Sequence, residues 1–482
     1  MTGRRRPWLS RLDRSLYRRV PRRSAGLAAV LPPVGRLAHR GALWLALAAV
    51  LAGTGGRFGR RAAIRGLLAS GLASAVANGP VKAVARRQRP SRSRLMARLP
   101  GFPAPSTSSF PSAHTAAGFA FAVGAAQELP ATAVPLALVA SGVALSRVHA
   151  GVHYPLDVAG GMAIGAGAGL ATRRFWPVAP KRAARAATAA PADVEPSPDG
   201  AGLVLVVNPS AGRGGGPEEQ LAALLPAAEV VVVDEGDDLE AALRAASGRA
   251  LALGVAGGDG TVNTAAAVAA EHDLCLVVVP AGTLNHFAGA LGLASVDDAA
   301  AAVREGRAVA VDRGVIDGRT FLNTASIGDY VELVDAREQL EDRIGKWPAM
   351  AVALTQVLRH SAPVELELDG EPARVWMIFI GNCAYHPAGF GPSWRERLDD
   401  GQLDVRIVHA DRPWSRARLV ASVLTGRLAR CRAYEQRFQR ELRVRSRQGP
   451  LRLARDGETF DGSEEFTIAK AAEPLVVYAP RP

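Results

Sequence analysis

Five apolar stretches dominate the first part of the chain, at about residues 41–56, 62–81, 113–128, 131–149 and 155–172. Each approaches the ~20 residues an α-helix needs to cross a hydrocarbon layer, although several fall short. They are rich in Ala and Gly. Gly161, Gly165 and Gly169 repeat at a spacing that lets helix backbones approach closely. The pattern predicts an all-α transmembrane helical bundle over residues 41–176, with a soluble bundle of buried Ala-rich helices as the competing reading. Before it, residues 1–40 intersperse Trp8, Leu9, Leu12, Leu16 and Tyr17 among arginines, which suits an interfacial amphipathic helix or a basic tail.

After a Pro/Ala-rich linker at 177–200 the pattern changes. Short β-branched runs (LVLVVNPSAG, AEVVVVDE, LALGVAGGDG, LCLVVVPAG) end in Gly or Asp and alternate with helix-forming stretches such as 217–226 and 238–247. This alternation predicts a parallel α/β lobe over 201–312, which the motifs below make the nucleotide-binding part. From 313 to 482 strand-like runs dominate, among them VELELDG, RVWMIFIGNC, GQLDVRIVHA, LRVRSR and PLVVYAP. They predict a mostly β, sandwich-like lobe. Nothing repeats at a fixed period of about 20–50 residues, so a solenoid is excluded.

Charge sharpens the picture. The 482 residues carry a formal +13, divided unevenly. Residues 1–190 hold 28 Lys and Arg against three acids (Asp13, Glu128 and Asp157), a net +25, and the remainder is −12. A basic half suits an anionic partner. Its long uncharged runs and sparse aromatics favour a phospholipid surface over nucleic acid. Three scattered cysteines, Cys275, Cys383 and Cys431, give neither a disulfide framework nor a zinc spacing.

Polar clusters stand at the ends of the apolar segments. Lys82 and Arg89-Pro90 close the second, Pro111-Ser112-Ala113-His114 opens the third, and Ser146-Arg147, His153 and Asp157 join the fourth to the fifth. Ionisable groups there mark function, and the chemistry they suit is phosphoryl transfer. Lys82, Arg89 and Arg147 would neutralise phosphate oxygens, with Ser112 and the N–H groups opening the third helix as further donors. His153 would be the nucleophile. Asp157, four residues on, would share its helix face and fix its tautomer, and His114 would protonate the leaving alcohol. In order and spacing these residues resemble the signature of the type-2 phosphatidic acid phosphatase superfamily: Lys-x6-Arg-Pro, Pro-Ser-x-His and Ser-Arg-x5-His-x3-Asp, with Ala113 in place of the more usual Gly. The resemblance covers about residues 40–172. It implies metal-independent dephosphorylation of a lipid phosphate through a phosphohistidine, with no cofactor.

In the α/β lobe two Gly-rich turns follow strand-like runs, Asn208-Pro209-Ser210-Ala211-Gly212 and Gly257-Gly258-Asp259-Gly260-Thr261. At the carboxyl edge of a parallel sheet their N–H groups could cradle a phosphate chain. Four further blocks accompany them: Pro280-Ala281-Gly282-Thr283-Leu284-Asn285, Asn323-x2-Ser326-x-Gly328, Asp400-Gly401-Gln402-Leu403-Asp404 and Asp456-Gly457-Glu458. Together these blocks resemble the diacylglycerol kinase catalytic family over about residues 202–480. The resemblance implies ATP bound by Asn208, Gly258, Asp259, Gly260, Thr261 and Thr283, with Asp259 near magnesium-bound phosphates. It also implies Asp456 as general base toward a lipid hydroxyl, Glu458 in support, and a structural magnesium held by Asp400 and the Leu403 carbonyl. Taken as turns alone, Asp400-Gly401 and Asp456-Gly457 also suit plain hairpins. Two positions depart from the family, His286 where Asp is usual and Thr264 where Glu is usual.

The expectation is a bifunctional, multi-pass membrane enzyme acting on membrane lipids and ATP, and not on nucleic acid. The alternative is an active phosphatase whose kinase-like part senses a nucleotide or lipid. ATP is cytoplasmic, so the kinase is expected inside and the phosphatase pocket on the outer face. The Arg-rich residues 1–40 oppose that orientation if all five segments span. They are expected to stay inside because 41–56 does not fully cross.

Overall fold

The computed structural model divides into two compact units, Met1–Ala179 and Pro180–Pro482. It describes residues 13–18, 33, 37, 41–90, 107–180, 182–188, 194, 196–208, 217–234, 236–282, 285–344, 346–387, 393–411, 413–425 and 427–480.

The first unit is helical. Its main helices are α1 (Ala42–Thr54), α2 (Gly56–Val76), α3 (Ala113–Glu128), α4 (Ala133–His149) and α5 (Pro155–Ala171). A π turn at Ala77–Val81 accommodates Pro80 and carries α2 on to Ala85. Two helical stretches, Gly56–Ala85 and Pro130–His149, are long and apolar enough to cross a membrane; α1, with 13 residues, is a shorter apolar helix. Helix α3 packs against α2, α4 and α5. Gly161, Gly165 and Gly169 face it from α5, where an added Cβ would collide with Ser112 O, Ala116 O and the Val123 side chain. The glycine repeat therefore does what its spacing predicts. All three acids of the basic half are buried: Asp13, Glu128 and Asp157.

Residues 13–18 form a helical turn that packs at the end of the bundle where α5 begins, since Leu156 N–H donates to Asp13 Oδ1 at 3.0 Å. That end also carries His153. The expectation that residues 1–40 stay on the face opposite the phosphatase cluster is thus corrected for this turn. A lone acid among arginines finds the N–H groups at the start of a helix. The rest of residues 1–40, except 33 and 37, lies outside the described residues.

The second unit contains a seven-stranded sheet and an eleven-stranded one. Parallel strands Glu229–Val232, Leu203–Val207, Ala252–Gly257 and Cys275–Pro280 lie side by side in the first. The β-branched residues of the last three are buried, as expected of strands with helices on both faces, while those of the edge strand Glu229–Val232 are half-buried or exposed. Two short segments complete that sheet contrary to their expected places. Ala187–Thr188 belongs to the stretch read as linker. Leu475–Tyr478 belongs to the stretch read as β lobe, yet it inserts beside Cys275–Pro280. Its LVVY run is buried on both sides, a demand a parallel sheet meets.

The β lobe is one antiparallel sheet curled around one core rather than two separate layers. The long strand Glu371–Asn382 makes the curl possible. It pairs first with Val364–Leu368 and then with Thr324–Gly328, while Leu403–His409 runs along its other edge with a register shift between Val375 and Met377. Two helices, Asp329–Ile344 and Lys346–His360, fall within the region read as mostly β.

Candidate active sites

In the first unit the loop 150–154 carries His153, which is only 4% exposed. Its Nδ1 lies 2.7 Å from the Ser109 carbonyl, and its Nε2 lies 3.4 Å from Arg89 Nη1. A carbonyl oxygen only accepts, so the proton belongs on Nδ1 and Nε2 presents its lone pair. Burial holds the imidazole below its ordinary pKa, with Arg89 pushing the same way against the pull of Asp157. Burial thus favours the neutral form of the ring.

The expected His153–Asp157 pair takes a different form. Pro155 opens α5, so His153 precedes the helix instead of sharing a face with Asp157. Asp157 Oδ2 lies 3.7 Å from His153 Nδ1 and accepts from Tyr154 N–H at 2.8 Å, while Oδ1 accepts from Arg87 at 2.7 Å. Ser109 O, not Asp157, makes the close contact with Nδ1.

Arg89 is fixed by the carbonyls of Thr107, Ser108 and Val152. Ser112 caps α3 and is fully buried; its N–H donates to Asp157 O. Lys82 donates to Asn78 and is close enough to Arg89 for their charges to repel. His114 is half-buried on the first turn of α3. Arg147 is 5% exposed on the last turn of α4, and its carbonyl accepts from Val152 N–H. Arg87, Ser109 and Asp13 were not anticipated. The rarity of acids in this half is the one sequence signal that could have marked Asp13.

In the second unit the described residues of three predicted motifs, Asn208, Gly257–Thr261 and Pro280–Gly282, lie at the carboxyl edge of adjacent strands. Asn208 Nδ2 donates to Thr261 Oγ1 at 3.3 Å. Gly257 O accepts from both Ala281 and Gly282 N–H, and a Cβ on Gly282 would strike the Gly258 backbone. Gly258 caps the helix Asp259–Glu271, so free N–H groups at that helix start face the same edge. Thr283 lies outside the described residues.

The late Asp456-Gly457-Glu458 block joins this edge from the other lobe. It is a two-residue hairpin turn, both residues at positive φ (46° and 93°). The hairpin also has a chemical face. A Cβ on Gly260 would collide with the Glu458 carboxylate, and Asp456 is close enough to Asp259 to feel its charge. The Asp456 carboxylate accepts from the N–H groups of Leu322, Asn323 and Thr324, each at 2.8 Å. Burial nonetheless pushes its pKa up to about 6. Buried Arg395, unanticipated, steadies that turn through Leu322 O and Asn323 Oδ1.

The two departures are locally accommodated. At position 286 the backbone N–H, not the exposed imidazole, donates to Asp259 Oδ2 at 3.0 Å, and Thr264 Oγ1 bonds back to Gly260 O.

Asp400 and Leu403, expected to hold a structural magnesium, both have partners within the protein. Both Asp400 oxygens accept backbone N–H groups, from Ala384 and Gln402, and Leu403 lies in a strand. Asp400 clusters with Asp312 and Cys383, and the Lys470 ammonium reaches two of the three. Lys470 Nζ lies 2.9 Å from Asp312 Oδ2, 2.6 Å from Asn382 Oδ1 and 3.3 Å from Cys383 Sγ. Burial pushes the Cys383 thiol up to about 12.

The first unit sets His153 against Arg89, and the second gathers Gly257, Gly258, Gly282 and the Asp456–Glu458 hairpin at one sheet edge. Residues 63–180 match the PAP2 superfamily, and residues 202–316 match the diacylglycerol kinase catalytic domain. The first unit belongs to the PAP2 superfamily and the second to the diacylglycerol kinase catalytic-domain family. The first is similar to the decaprenylphosphoryl-5-phosphoribose phosphatase of Mycolicibacterium smegmatis, 40% identical over 28% of this chain and 74% of that protein. The second is similar to the diacylglycerol kinase of Bacillus subtilis (33% identical, over 36% of this chain and 60% of that protein). It is likewise similar to a "Probable lipid kinase YegS-like" of Pseudomonas aeruginosa (33% identical over 33% of this chain), and the chain spans about half, 56%, of that relative's length. A diacylglycerol kinase crystal structure from Bacillus anthracis aligns with 19% identity and a TM-score of 0.41, over 58% of this chain and 96% of that one.

Proposed function

We propose that the chain is a bifunctional membrane enzyme of lipid phosphate metabolism. The observation that carries the phosphatase half is the 3.4 Å approach of His153 Nε2 to Arg89 with Nδ1 tied to Ser109 O. A phosphate drawn to Arg89, Lys82, Arg147 and the start of α3 meets the lone pair of Nε2. The N–P bond forms as the ester P–O bond breaks, His114 gives its proton to the leaving lipid oxygen, and water then hydrolyses the phosphohistidine. Substrates are lipid phosphates such as phosphatidate or a polyprenyl phosphate.

In the kinase half, Asp456 takes the proton of a lipid hydroxyl, diacylglycerol-like. The oxygen attacks the γ-phosphorus of ATP, and the bond to the departing ADP breaks. Magnesium, when bound with ATP, screens phosphate charge, and Asp259 and Glu458 are the carboxylates placed to hold it.

A membrane setting is supported by the first unit's surface. Leu45, Val50, Val134, Leu138 and Leu170 are each more than half exposed, a belt that water disfavours and lipid accepts. With cytoplasmic ATP, the kinase is inside and the phosphatase pocket faces outward.

The test is the full-length protein in lipid nanodiscs, given phosphatidate or diacylglycerol with γ-labelled ATP. His153→Ala should lose phosphate release and keep transfer; Asp456→Asn should do the reverse. Unchanged hydrolysis in the first, or unchanged transfer in the second, would refute the corresponding half.

A further inference from the structure

Asp13 is one of three acids among the first 190 residues, flanked by Arg11, Arg14, Arg18 and Arg19. Surrounded by so much positive charge, an acid could be satisfied anywhere on the surface. Instead its side chain is fully buried. Oδ1 accepts from Leu156 N–H at 3.0 Å, and Oδ2 pairs with Arg87 Nη2. The other end of that guanidinium donates to Asp157 Oδ1 at 2.7 Å. One turn after Asp13, Tyr17 packs edge-on against Tyr154 at 5.4 Å, and its hydroxyl lies beside Gly151. The turn 13–18 therefore grips the His153 loop at Gly151, Tyr154 and Leu156.

We infer that Asp13 is a positioning residue of the phosphatase site, acting through Arg87 on Asp157 and the loop that presents His153; this rests on the phosphatase reading above. Arg87 is shared between two carboxylates. Without Asp13 its full charge and both of its Nη groups turn to Asp157, and Leu156 N–H loses its acceptor. Asp157 is then drawn away from Tyr154 N–H and from the imidazole whose positive charge it balances as the N–P bond forms. None of the phosphatase signature residues performs this function, because the signature begins at Lys82.

The test uses full-length protein in nanodiscs with labelled phosphatidate. Asp13→Asn should lower kcat about tenfold, the loss of one charge-assisted contact, with KM changed less than about twofold. Asp13→Glu should recover much of that loss. In an Arg87→Ala background, Asp13→Asn should have little further effect, because the two act in series. His153→Ala runs alongside. If it leaves hydrolysis intact, the site reading fails. If it abolishes hydrolysis while Asp13→Asn leaves kcat within twofold, the Asp13 proposal alone is overturned. Additive losses for Asp13→Asn and Arg87→Ala, or a fall with no rescue by Glu, would reduce Asp13 to a packing residue and overturn it too.

Discussion

Arg65 and Glu128 meet inside the helical unit with both side chains fully buried, Arg65 Nε donating to Glu128 Oε1 at 2.9 Å. Arg61 adds a second pair to the same carboxylate, and Arg65 also reaches Thr172 and Pro177 O. Removing one partner from such a cluster strands a buried charge, which typically costs about 3–5 kcal/mol. Glu128→Ala should therefore lower the thermal midpoint of the detergent-solubilised protein sharply. The double change Arg65→Met/Glu128→Leu should recover part of it, since a packed apolar pair needs no desolvation. A Glu128→Ala midpoint equal to that of the unaltered protein would show that the network contributes nothing.

Kinase turnover should rise with pH through about 6, because the proposed base must lose its proton and burial holds Asp456 near that value. Its effect on stability has the opposite sense. The folded pKa is raised above an unfolded value of about 3.9, so the contribution is fully present below about 3.9 and is lost as pH rises through about 6. Asp456→Asn should abolish transfer and flatten that part of the stability–pH curve. Initial rates and chemical denaturation between pH 4 and 8 measure both.

Gly260→Ala should damage the kinase alone. The added Cβ needs the place of the Glu458 carboxylate, so that side chain must swing away from the sheet edge. An increase of about tenfold or more in the KM for ATP is expected, with phosphate release from phosphatidate unchanged. Wild-type ATP kinetics in this variant would mean that the contact plays no part in binding.

Divalent metal should not stabilise the β lobe in the absence of nucleotide, because Lys470 already supplies the positive charge at Asp312 and Asn382. EDTA should leave the unfolding midpoint in place. Lys470→Met, which leaves Asp312 without its buried partner, should lower it. A midpoint that falls on chelation and returns with magnesium, and that Asp400→Asn makes insensitive, would restore the structural-metal reading.

The sequence by itself determined the two families and the broad class of each part. Local patterns are enough for that. Apolar runs give helices, β-branched runs give strands, Gly161, Gly165 and Gly169 give a close helix contact, and the spacing from Lys82 to Asp157 gives the PAP2 signature. The tertiary structure alone decided the partners. Asp157 reads as the mate of His153 by spacing, but Pro155 starts the helix two residues too late for that and Ser109 O lies closer. Lys470 comes into the Asp312 cluster only through strand pairing. Asp13 reaches Leu156 across most of the helical unit, and Leu475–Tyr478 leaves its neighbours for the parallel sheet. These are long-range satisfactions of buried polar groups and β-branched faces. No window of neighbouring residues contains the acceptor, the cation or the sheet edge that completes them.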